Sequence, residues 1–128
     1  GMSLAEKAAK VIEIHGYHGE LKLARQLRVK IFEASKALDE AIQEGLIDPE
    51  DLVDDQLHEV LIDSLGEATA KAWATEDTKN RLKPLFDELS KKSELAGLDY
   101  TQLKIALRDW RKSRRAPQRD AYRSPAYA

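Results

Sequence analysis

The sequence predicts an all-α protein of four to five helices arranged around a long antiparallel helical hairpin. Three observations predict it. Apolar residues recur at intervals of three and four along most of the chain, the repeat of one buried helix face. Helix-capping residues stand at the start of these periodic stretches. The 6 glycines and 4 prolines among 128 residues are too few for an all-β chain with its frequent turns, or for a glycine-rich phosphate loop. At 42% hydrophobic and 34% charged residues there is material for a modest core. No stretch approaches the roughly 18 apolar residues of a membrane span. The absence of cysteine excludes disulfides, thiolate metal sites and cysteine nucleophiles.

The first helix opens at Ser3. Ser3 and Glu6 form a capping box, in which hydroxyl and carboxylate satisfy orphan amides. Leu4, Ala8, Val11 and Ile12 give its inner face, and Gly16 and Gly19 favour a turn after His15. The second helix is read from about Glu20 to Glu44. Its stripe of Ala24, Leu27, Ile31, Ala34, Leu38 and Ala41 follows a heptad pattern, widened by Leu23, Phe32 and Ile42. Gly45 stands where a left-handed residue ends a helix. The third helix is read from Asp48-Pro49, a good cap followed by a residue suited to the first helical position. Val53, Leu57, Val60, Leu61, Ser64 and Ala68 face inward, with Trp73 near the end. Gly66 inside this helix points to close packing or a bend. A short connection through Leu46 and Ile47 makes these two helices the antiparallel hairpin.

A fourth helix is read from Pro84 to Ala96, because proline disfavours helical geometry at Lys83. Leu85, Phe86 and Leu89 form its apolar face, and Gly97 ends it. Asp99 or Thr101 opens the last helix, which runs to about Ser113 with Leu103, Ala106, Leu107 and Trp110 inward. The expected organisation is a single helical domain over residues 2–113 and a basic C-terminal tail over 114–128. The tail has little to bury and is expected to be disordered without a partner. Gly1 before Met2 reads as a cleavage scar, no signal peptide follows, and the expected location is the cytoplasm.

A formal net charge of −2 hides a strong asymmetry. Residues 33–76 carry thirteen acidic side chains and two basic ones, a local net of −11. Residues 108–128 carry seven Arg or Lys against two Asp, a local net of +5. An acidic middle suits divalent cations or a basic partner, and a basic end suits phosphates or an acidic partner. The two can also neutralise each other within the chain or across a dimer. The acidic middle would repel a nucleic-acid backbone, which argues against nucleic acid as the partner despite the tail's arginines and tyrosines.

Carboxylates give the strongest candidate chemistry. Glu33 and Glu40 share a face of the second helix, and Asp55, Glu59 and Asp63 share a face of the third. If those faces meet, they form a hard oxygen site for Mg²⁺ or Mn²⁺. The alternative is that they are the solvated faces of amphipathic helices. His15 and His18 are three apart, as two ligands of one metal can be, but no third ligand accompanies them. Ser35, Ser64 and Ser90 lie inside helices rather than at strained turns, so no serine triad and no catalytic residue is assigned.

Phe32 to Ile42 resembles the first acidic helix of the MazG-like all-α nucleoside triphosphate pyrophosphohydrolases, and Gln56 to Asp63 resembles their second. Gly97-Leu98-Asp99-Tyr100, with the basic stretch Arg108–Arg115 beyond, is similar to the family's turn before a Lys/Arg-rich helix. The resemblance implies a Mg²⁺-dependent nucleotide pyrophosphohydrolase, or a relative that binds a nucleoside triphosphate. Glu33 and Glu59, with Asp55 and Asp63 beside them, would hold the metal, and Arg111, Lys112 and Arg115 would meet the phosphates. The sequence departs from the family at Ala34, Ala37 and Gln56, where the pattern has carboxylates. The segment at about 76–96 is longer than expected. The alternative function is a non-catalytic dimeric interaction or regulatory protein that uses the acidic face and the basic tail. A homodimer is expected, because a short helical hairpin buries its stripe best against a copy.

Overall fold

A computed structural model describes the backbone of residues 1–127 and the side chains of residues 1–115. The described chain is all-α. Its helices are α1 (Leu4–His15), α2 (Glu20–Leu27), α3 (Ile31–Gln43), α4 (Asp55–Ala72), α5 (Leu82–Leu89) and α6 (Tyr100–Tyr127). Single 3-10 turns lie at Pro49–Asp51 and Ser93–Leu95. No helix among the described residues is long and apolar enough to cross a membrane.

The chain forms two groups of helices. In the first, α1 and α2 both pack on α3. The buried faces of α1 and α3 are rich in small residues: Ala5 and Ala8 on α1, Ala34, Ala37 and Ala41 on α3. In the second group α4 packs on α5 and α6. Leu61, Leu65, Leu85, Leu89 and Leu103 are essentially inaccessible there. The N-terminal part of α6 also packs on α3 and so ties the groups together.

The capping box at Ser3 forms as expected, with Glu6 N–H donating to Ser3 Oγ at 3.1 Å and Ser3 N–H to Glu6 Oε1 at 3.0 Å. The expected long second helix is instead two. Arg28 adopts a left-handed conformation (φ 59°, ψ 45°), and Val29 N–H donates to Ala24 O at 3.0 Å, closing a Schellman turn. The turn rotates α3 relative to α2 and interrupts the heptad stripe. Ile31 and Phe32 therefore face solvent, at 47% and 76% exposure, rather than widening the core.

Gly45 (φ 74°) does end α3, in a second Schellman turn closed by Leu46 N–H on Ala41 O at 2.8 Å. The expected hairpin does not follow. Asp48 and Pro49 open only a 3-10 turn, after which Leu52 and Val53 are buried as an anchored linker. Asp54 then caps α4, its Oδ1 accepting from Leu57 N–H at 2.8 Å. This connection is too long to force α3 and α4 into antiparallel contact, and they make little contact with each other. Gly66 is exposed, and a Cβ there would meet no atom within 4 Å, so it marks no close packing.

Helix α5 begins at Leu82, two residues before the expected start. Pro84 sits in its first turn, where a missing N–H costs no helical bond. Helix α6 continues past Ser113 to Tyr127. The tail residues Arg119, Tyr122, Arg123 and Tyr127 have side chains outside the described residues.

Candidate functional site

The start of α6 is fixed by a capping box of its own. Gln102 N–H donates to Asp99 Oδ1 at 2.8 Å, and Asp99 N–H donates to Gln102 Oε1 at 3.1 Å. Leu103, Ala106 and Leu107 then enter the core and Trp110 is half-buried, which sets the rotation of the helix. Arg108, Arg111, Lys112 and Arg115 consequently lie exposed along one edge of α6, and Arg114 is exposed on the neighbouring side, over Trp110.

Two of these cations rest on indole rings. The Arg111 guanidinium carbon lies 5.6 Å from the Trp73 ring centroid, and that of Arg114 lies 4.6 Å from Trp110. Trp73 is itself held by its Nε1–H, which donates to Arg81 O at 2.9 Å. Arg108 is engaged, its Nε 3.4 Å from Asp109 Oδ1, and Asp109 Oδ2 lies 3.0 Å from His58 Nε2. Arg111, Lys112, Arg114 and Arg115 make no ion pair among the described residues.

The four carboxylates expected to hold a metal are not gathered. Glu33 is exposed at the start of α3, where its Oε1 accepts from Lys30 N–H at 3.2 Å. Asp55, Glu59 and Asp63 are exposed on α4. Among the described residues no group of three or more His, Asp or Glu is placed to hold a metal ion. The reason lies in the fold: α3 packs with α1 and α2, whereas α4 packs with α5 and α6, so the acidic faces do not meet. The residues present do not fit the Mg²⁺ or Mn²⁺ site that the resemblance implies. His15 and His18 are exposed, and the His18 ring Nε2 lies 2.8 Å from His15 O.

Arg108 helps to line a cavity of about 410 Å³ between the 48–58 segment and α6. Asp48, Glu50, Asp55 and Asp109 share that lining with His58, so carboxylates outnumber cations. Such a lining disfavours a polyphosphate.

A second polar cluster joins the two helix groups. Glu20, the first residue of α2, is 5% exposed, and its Oε1 accepts from Thr101 N–H at 2.8 Å and Thr101 Oγ–H at 2.7 Å. In return Asp99 Oδ2 accepts from Glu20 N–H at 3.2 Å and from the Tyr17 hydroxyl. Each helix start is thus capped by a carboxylate belonging to the other, and both negative charges face positive helix ends. Burial raises the Glu20 carboxyl above its ordinary range, partly offset by the Thr101 hydrogen bonds. Burial first, and then the Asp99 carboxylate, push the Tyr17 phenol well above its usual value.

No family model, curated protein or solved structure matches this chain.

Arg111, Lys112 and Arg115, expected to meet phosphates, are exposed on α6; the pairing of Arg111 with Trp73 is not legible in the sequence, because Trp73 comes from a different element. Burial of Glu20 is also missed, since a glutamate at a helix start ordinarily faces water. The available signal is Asp99-x-x-Gln102, a capping box that fixes where α6 begins.

Proposed function

We propose that this chain is a non-catalytic helical interaction protein that docks the basic edge of α6 on an acidic protein surface. The observation that carries this reading is the row of exposed cations at Arg111, Lys112, Arg114 and Arg115 with no carboxylate partner among the described residues. Two of them rest on indole rings, which limits the entropy lost when they meet a partner. The row extends along the helix and does not converge on a cavity. Residues 111 and 115 are four apart, about 6 Å along the axis, and Lys112 and Arg114 point to different sides of the helix, so the cations diverge over a surface and do not close around one phosphate chain. The nucleotide reading implied by the resemblance uses the same cations but needs a gathered carboxylate set, and Glu33, Asp55, Glu59 and Asp63 supply none.

The test uses the two tryptophans of the chain, both of which lie beneath exposed arginines of α6. Titration with poly-L-glutamate changes tryptophan emission, the change is lost at high salt, and Arg111→Gln/Lys112→Gln/Arg115→Gln abolishes it. An unchanged response in the triple variant removes the basic edge as the docking surface.

A further inference from the structure

We infer that the acidic partner is a second copy of this chain, with the Arg111/Lys112/Arg115 stripe of α6 in one copy set on the Asp55/Glu59/Asp63 stripe of α4 in the other. The inference rests on the basic-edge reading above and names its partner.

Both stripes are on the surface of one molecule. Asp55, Glu59 and Asp63 are exposed on α4 at intervals of four residues. Arg108, Arg111, Lys112 and Arg115 recur on α6 at intervals of three and four. The intervals are rises of about 4.5 and 6 Å, so over the two turns of each stripe the charges of two helices laid alongside each other stay close to in step. The carboxylates of the α4 stripe are not used elsewhere: none of the three makes an ion pair among the described residues. Nor do the stripes pair with each other inside the chain, although α4 and α6 are packed together. Left unpaired within the chain, the two complementary stripes are open to another molecule.

The charge distribution favours a copy over a foreign polyanion. The whole chain is nearly neutral at −2, so two copies repel weakly as whole molecules while their patches attract. A nucleic acid would meet the −11 segment as well as the basic edge. A two-fold axis makes the contact twice, since each copy offers both stripes. Half-buried Trp73 and Trp110 supply apolar area beside the basic edge, where an interface gains from aromatic residues.

The experiment is a charge swap on the full chain, read by sedimentation equilibrium at about 50 mM and about 500 mM salt. The wild type dimerises at low salt and dissociates at high salt. Asp55→Lys/Glu59→Lys/Asp63→Lys makes both stripes basic, and Arg111→Glu/Lys112→Glu/Arg115→Glu makes both acidic. Each variant alone is expected to lose at least about 100-fold in dimer affinity, because like charges now face each other twice. Mixed in equal amounts, the two variants form a heterodimer within about tenfold of the wild-type affinity. That rescue also shows that both variants are folded. A wild type that stays monomeric up to about 0.5 mM at low salt overturns the inference. So does a dimer that survives both reversals, or a mixture that stays monomeric. If the chain is monomeric yet poly-L-glutamate binding still depends on Arg111 and Arg115, the self-association fails and the basic-edge reading stands. If neither is seen, both fail.

Discussion

Replacing Glu20 with alanine tests whether the exchanged caps hold the two helix groups together. The side chain serves Thr101 twice, at the backbone N–H (2.8 Å) and at the hydroxyl (2.7 Å), and Thr101 is only 1% exposed. Loss of the cap costs about 1 kcal/mol. Leaving a buried hydroxyl without an acceptor costs about 1–3 kcal/mol more. Against this stands relief of a carboxylate whose burial already opposes its charge. The expected net loss is about 2–3 kcal/mol, since the offset cancels part of the penalty. With an unfolding entropy of about 2 cal/mol/K per residue, that lowers Tm by about 7–11 °C. Glu20→Gln keeps an acceptor and is expected within about 1 kcal/mol of the wild type. Urea unfolding followed by circular dichroism measures all three proteins. The partner substitution Thr101→Val should cost less in the Glu20→Ala background than in the wild type, because the shared interaction is already gone. A Glu20→Ala protein within about 0.5 kcal/mol of the wild type would mean that the exchanged caps do not hold the helix groups together and would reduce the cluster to a surface network.

Further expectations follow from the same geometry. The folded-state value of Tyr17 is raised, so its contribution to stability is complete below the ordinary phenol range and is lost as pH rises above about 10. Tyr17→Phe should flatten that alkaline loss, measured as urea midpoint against pH, and an unchanged slope would show that Tyr17 is not its source. The Glu20 carboxyl is likewise raised, so stability falls as pH rises from its ordinary range through its folded value, and Glu20→Gln removes that slope. Gly66 lies exposed inside α4 with open space where a Cβ would sit, so Gly66→Ala should stabilise by about 0.5–1 kcal/mol in thermal unfolding. A destabilised Gly66→Ala would reveal a packing role that the fold does not display.

Several elements are legible in the sequence because their signals are local. The Ser3–Glu6 box, the Gly45 stop and the inward residues Leu61, Leu85, Leu89 and Leu103 need only short-range rules. The break at Arg28 is not legible, because the left-handed residue is an arginine where glycine or asparagine gives the usual sign. From that single turn comes the error over Ile31 and Phe32. The missing hairpin has a different source. Asp48-Pro49 is a sound cap and first residue, but it serves a 3-10 turn, and Asp54 holds the real start of α4. Whether Glu33 meets Glu59 depends on which helices are neighbours, and spacing along one helix carries no information about that. The exposed cations of α6 are easier to find, since an uncompensated basic face is visible in one helix alone.

In the proposed function the α6 cations serve an acidic partner surface and not a metal-bound nucleotide. Thermal unfolding of the full chain with Mg²⁺ or Mn²⁺, nucleoside triphosphates and poly-L-glutamate, singly and combined, tests this most directly. A ligand at about 100 times its Kd adds about 2.7 kcal/mol, a rise of several degrees. A rise with poly-L-glutamate that salt removes is expected, and none that needs metal and nucleotide together. A rise that requires both metal and nucleotide, lost in Glu59→Ala, would contradict the proposed function and return the carboxylates to its centre.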